Sequence, residues 1–193
     1  MAFKTGSLAF QKAGTAAFLT LVAIIWATIG IAGVDEDLIQ AAKEGELGQV
    51  DILLDKGANV NAKTNNGSTV LMLAALEGYP GVVKALLDKG ADVNARNNNG
   101  STALIAASLR GAFEVVQILL EKGADVNVRN NNGATALMAA SNTGSKEIVQ
   151  ALLAKGAEVN VKDNKGTTAL MAASANANKE VEEILIKAGA STP

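Results

Sequence analysis

The chain has 193 residues, a formal net charge of −2, 49% hydrophobic residues and only 3% aromatic ones. It has no Cys and no His, which excludes disulfides, zinc sites of the usual types, lipid attachment through Cys, and nucleophilic or general-base chemistry built on either residue. Lys and Arg are spread along the sequence without a basic cluster, so no electrostatic footprint for nucleic acid is expected.

Residues 1–12 form a short amphiphilic start carrying Lys4 and Lys12, read as a cytoplasmic tail. Residues 13–34 carry no charge, and Asp35-Glu36-Asp37 ends that run abruptly. A bilayer core takes about 20 apolar residues as helix, so the segment is long enough to span. Basic residues before it and acidic ones after it predict a cytoplasmic N-terminus, with the rest of the chain on the periplasmic or extracytoplasmic side. Ala16, Thr20, Ala23, Ala27 and Gly30 fall at steps of four and three, on one helical face where a second membrane helix can approach closely. The competing reading is a secretory signal cleaved after Gly30-Ile31-Ala32, releasing a soluble periplasmic protein that starts at Gly33. The run is long for a signal, which favours the anchor.

Beyond residue 34 the sequence repeats itself. Gly57, Gly90, Gly123, Gly156 and Gly189 are 33 residues apart, as are Thr69, Thr102, Thr135 and Thr168, and Leu71, Leu104, Leu137 and Leu170. A period of this length means stacked supersecondary units that bury their core against neighbours. In each unit an Asn-Gly turn leads to a Thr placed to cap a short Ala-rich helix, for example Ala103 to Leu109, ending at Gly111. A second helix, such as Phe113 to Lys122, puts Val115, Val116, Leu119 and Leu120 on one stripe, and Gly123 ends it. The Ala-Asp-Val-Asn step that follows reads as an extended hairpin arm.

These residues carry a resemblance. The unit is similar to an ankyrin repeat, D-x-x-G-x-T-P-L-H-x-A-A-x-x-G followed by V-x-x-L-L and G-A-D-V-N-A, and the likeness covers residues 34 to 190. It implies an all-α repeat solenoid of five helix-turn-helix-hairpin units, near 34–64, 65–97, 98–130, 131–163 and 164–193, forming one domain over 35–193. Two departures stand out. The family's Pro after Thr is Val70, Ala103, Ala136 and Ala169, and its His after Leu is Met72, Ile105, Met138 and Met171. Apolar packing is therefore expected where the family uses a polar network. The end units look like caps: Asp37, Gln40, Lys43 and Glu44 mark the first helix, and Glu182 stands where Val83, Val116 and Val149 recur.

The resemblance also implies a binding surface on the hairpin tips and the open side of the first helices. The matching positions are Asn65, Asn66 and Ser68; Asn98, Asn99 and Ser101; Asn131, Asn132 and Ala134; Asn164, Lys165 and Thr167. On the helices they are Leu76 and Glu77; Leu109 and Arg110; Asn142 and Thr143; Ala175 and Asn176. Arg110 is the one residue there of the types that usually anchor protein interfaces, with Leu76, Leu109 and Tyr79 adding apolar contact. The Asn runs allow two readings, residues that merely make tight turns or amides that a partner reads. Asp92, Asp125 and Glu158 recur with the repeat, and no carboxylate pair is unique to one place, so no enzyme, cofactor or metal site is expected. The expected function is a non-catalytic protein-binding scaffold held at a membrane, for instance an accessory subunit of a membrane complex. Its partner would be a membrane or periplasmic protein, not a nucleic acid or small-molecule substrate. A soluble periplasmic inhibitor or stabiliser and a self-assembling structural protein are the alternatives.

Overall fold

The computed structural model describes residues 33–191. The tail, most of the uncharged segment and the stripe from Ala16 to Gly30 lie outside the described residues. Those described form ten helices and no strand, arranged as five pairs. Residues 33–44 (α1) pair with Leu47–Asp55 (α2), and Val70–Glu77 (α3) with Pro80–Asp88 (α4). Ala103–Arg110 (α5) and Phe113–Glu121 (α6), Ala136–Thr143 (α7) and Lys146–Ala154 (α8), and Ala169–Ala175 (α9) and Lys179–Lys187 (α10) follow. The first helices pack in one row, α3 on α5 on α7 on α9, and the second helices in another, α2 on α4 on α6 on α8 on α10.

Each inner helix from α3 to α9 starts at a threonine. The hydroxyls of Thr69, Thr102, Thr135 and Thr168 accept the N–H three residues on, at 3.2, 3.4, 3.3 and 3.2 Å. Such a cap is worth about 0.5–2 kcal/mol relative to alanine. Ala74, Ala75, Ala107, Ala140 and Ala173 are fully buried, and their small size lets the inner helices approach one another. Leu71, Leu104, Leu137 and Leu170 share one continuous core with Leu86, Leu119, Leu152 and Leu185 of the outer row. Where the resemblance would put histidine, Met72, Ile105 and Met138 are buried apolar contacts between units, while Met171 of the last unit is 39% exposed.

The Ala-Asp-Val-Asn step departs from expectation. It is a turn, not an extended arm: the Asp92 carboxylate accepts the Asn94 N–H at 2.9 Å, and Asp125 does the same for Asn127. A short acidic side chain offers the backbone an acceptor two residues on, and that local bond closes the turn.

The first and last units adapt the pattern. Asp37, Gln40, Lys43 and Glu44 are all exposed. Asp35 accepts the Asn59 N–H at 2.6 Å, a bond that later units receive from the Asn of the unit before. Glu182 is half-buried where Val83, Val116 and Val149 are fully buried. The inner helices α3, α5 and α7 end in glycines with positive φ (Gly78, Gly111, Gly144), but the same position in the fifth unit is Ala177 at φ 56°. A side chain in that region costs about 1–2 kcal/mol. Ala177→Gly is therefore expected to stabilise the array by about 0.5–1 kcal/mol after the entropy that glycine adds to the unfolded chain. A higher midpoint in urea unfolding checks this.

Candidate functional site

The open side of the inner helices and the loops before them form a concave face. Its rim is made of tip loops, and their geometry is fixed by amides. The Asn97 Oδ1 accepts the N–H groups of Asn99 and Ser101 at 3.0 and 2.9 Å. The Asn130 Oδ1 does this for Asn132 and Ala134, and the Asp163 carboxylate for Lys165 and Thr167. One acceptor two and four residues upstream thus shapes each loop. The tip of the second unit differs, since Thr64 stands at this position and the Ser68 N–H goes to Asn66.

The loop backbone N–H groups, that of Thr167 foremost, hold the Asp163 carboxyl below the usual carboxylate range, against an opposing effect of partial burial. Because the folded pKa is depressed, this stabilisation is complete above about pH 4 and fades as pH falls through the folded value. The fifth tip is then expected to open in acid before the third and fourth, whose Asn97 and Asn130 do not titrate. Amide hydrogen exchange at Lys165 and Thr167 between pH 5 and pH 2 checks it, and Asp163→Asn should remove the pH dependence.

Neighbouring tips are bonded to each other. The N–H groups of Asn98, Asn131 and Asn164 donate to the carbonyls of Asn66, Asn99 and Asn132 at 3.1, 2.9 and 2.9 Å. The side-chain amides of the same three residues donate to the carbonyls of Asn65, Asn98 and Asn131 at 3.4, 3.0 and 2.9 Å. In the exposed loops that follow the outer helices a second ladder runs through Asn94, Asn127 and Asn160. Each accepts a backbone N–H of the next unit, on Asp125, Glu158 and Ser191, and donates to a carbonyl there, on Gly123, Gly156 and Gly189. Lys63, Arg96, Arg129 and Lys162 also form a row at the repeat period, which their even spread along the chain conceals. The Arg96 and Arg129 guanidiniums donate to the carbonyls of Arg129 and Lys162, so they brace adjacent units.

The expected site residues fall into three groups. Asn65, Asn98, Asn131 and Asn164 are exposed but belong to the tip ladder, while Asn99 and Asn132 carry none of its side-chain bonds. Ser68 is nearly buried, at 8% exposed, and accepts from the Asn97 amide at 3.3 Å because the neighbouring tip covers most of it, though it still lines the groove. Ser101, Ala134 and Thr167 are half-buried. On the helices, Leu76 and Leu109 are 40% and 53% exposed, and Glu77, Arg110, Asn142, Thr143, Ala175 and Asn176 are exposed beside them. Tyr79 lies apart from this group, its ring packed against Gly45.

The structure brings Leu76 and Leu109 together with residues not singled out from the sequence. A hollow of about 180 Å³ is lined by Met72, Leu73, Leu76, Ile105, Ala106 and Leu109. A second, of about 290 Å³, lies one unit on and reaches Met138, Ala139, Asn142 and Ala172, with Ile105 and Leu109 common to both. The inner-helix floor is therefore apolar through units two to four, while Ser68, Asn97 and Ser101 in the first hollow and Asn130, Asp163 and Thr167 in the second make a polar wall on the tip side. Farther along it turns polar, where the Asn176 amide donates to Asn142 Oδ1 at 2.9 Å. The sequence signal for the floor was the replacement of His by Met and Ile, next to small residues at positions 106, 139 and 172.

The arrangement offers a trough with an apolar helix floor, bordered on one side by the ladder of tip amides. Among the described residues no group of His, Cys, Asp or Glu side chains is placed to hold a metal ion. A family model described as Ankyrin repeats (3 copies) matches residues 38–130 and again 123–192. No curated protein matches the chain. With the matched segments covering most of the sequence, the chain belongs to the ankyrin-repeat family.

Proposed function

We propose that this protein is a non-catalytic scaffold that holds one protein partner in its concave groove, with the uncharged segment ahead of α1 anchoring it to a membrane. Ankyrin repeats mediate protein–protein interactions, and the feature that carries the reading here is the pair of apolar hollows joined at Ile105 and Leu109. Monomeric proteins rarely leave contiguous apolar surface open without use. The tip ladder along its edge and the packed inner helices beneath keep the groove in shape before binding, so association costs little ordering entropy. The anchor rests on the uncharged run and the charges that flank it. In this reading the array lies outside the cytoplasm and the partner is a membrane or periplasmic protein. Extraction of the native protein only by detergent supports the anchor; release by osmotic shock would count for the cleaved, soluble form.

The groove is tested by replacing Leu109 and Arg110 together with alanine. Both side chains are exposed, so helix content and urea midpoint should barely move. Partner capture from native membranes is expected to fall at least about tenfold, in line with the loss of one buried anchor. Unchanged capture by a folded variant would remove the groove from the account.

A further inference from the structure

We infer that the element seated in the groove is an amphipathic helix, lying along the array and presenting two bulky apolar side chains seven residues apart. The inference rests on the concave-face reading and adds the partner's form and chemistry. The two hollows share Ile105 and Leu109, and Leu76 and Leu109 occupy the same position in successive units. Packed helices lie about 8–10 Å apart, and seven residues of helix rise about 10.5 Å. Residues i and i+7 on one helical face therefore reach both hollows at once.

An extended strand also covers that distance, but the groove offers it no free edge of backbone groups, only scattered side chains on the tip-side wall. The tip N–H groups of Asn98, Asn131 and Asn164 are taken by neighbouring carbonyls, and those of Asn99, Ser101, Asn132 and Ala134 by side chains of their own loops. Strand addition needs a free edge of backbone groups. A strand laid on this apolar floor would bury its own N–H and C=O groups unpaired, whereas a helix satisfies its backbone internally.

Charge sets the helix's direction. Glu77 follows Leu76 and Arg110 follows Leu109, both exposed and of opposite sign one unit apart. The fitting helix carries a basic residue beside the anchor at Leu76 and an acidic one beside the anchor at Leu109. Exposed pairs of this kind choose partner and orientation more than they add affinity.

The experiment selects a random linear 16-residue peptide library on the full-length protein and then measures each binder on the Leu76→Ala, Leu109→Ala variant. The expected binders carry apolar residues at i and i+7, are helical when bound, and bind that variant at least tenfold more weakly. They should also weaken on Glu77→Lys, Arg110→Glu and recover when the peptide's two charges are exchanged. Proline-rich or otherwise extended binders that still depend on Leu109 would overturn the helix and leave the groove reading standing. Binders indifferent to both variants, or none at all, would overturn the inference; indifference would count against the groove as well.

Discussion

Leu104→Ala is expected to lower the stability of the array by about 2–5 kcal/mol, the range for emptying a buried leucine site. Leu104 is almost fully buried in α5, which packs on α3 on one side and α7 on the other. In a repeat array stability is the sum of unit and nearest-neighbour terms, so a cavity in the middle unit weakens two interfaces together. The urea transition, followed by far-ultraviolet circular dichroism, should fall in midpoint and broaden as the two halves uncouple. Leu185→Ala empties an equally buried site in the last unit. It should lower the midpoint without separating halves, because α10 has neighbours on one side only. Equal broadening by both variants would show that the units do not couple as nearest neighbours.

The second large effect is expected at Gly100, in the tip of the third unit. Its φ is +70°, and a Cβ there would lie 2.6 Å from Asn131 Oδ1 and 2.9 Å from Arg96 Nη2. Gly100→Ala therefore combines a left-handed backbone cost of about 1–2 kcal/mol with displacement of both a ladder amide and an inter-unit brace. A total loss of about 3–4 kcal/mol follows, adding about 1 kcal/mol for each of the two disturbed hydrogen bonds. Gly166 supplies the control, since its φ is +83° but nothing lies within 4 Å of an added Cβ. Gly166→Ala should lose only the backbone part. If urea midpoints for the two variants coincide, the tip ladder contributes little to stability.

Much of the fold was legible because its causes are local. Thr before an Ala-rich stretch, a four-residue apolar stripe and a glycine after it each act within one helix, and the fixed period repeats them. The concave row was placed by the resemblance, and Leu76, Leu109, Glu77 and Arg110 are exposed together there. What was not legible depends on reach across units. Asn94 reads as the end of Gly-Ala-Asp-Val-Asn, but its amide bonds Gly123 and Asp125, about a full period away. Ser68 reads as a tip residue and is covered by the neighbouring tip. Turn and hairpin arm share one sequence pattern at Asp92, and the carboxylate bond to Asn94 decides between them. The amides of the Asn runs proved mostly to build turns and ladders, with Asn99 and Asn132 left outside the side-chain ladder. Ala177 carried a signal in plain view, as the one unit lacking glycine at that position.

The central claim is that the partner lies in the groove between Leu76 and Leu109. A photo-crosslinking amino acid placed at position 109 of the full-length protein in its native cells tests it directly, with position 117 on the exposed outer face of α6 as the reference. Crosslinking to one protein from position 109, and none from position 117, is the result predicted. Crosslinks from position 117 with none from position 109 would place the partner on the outer face and contradict the account.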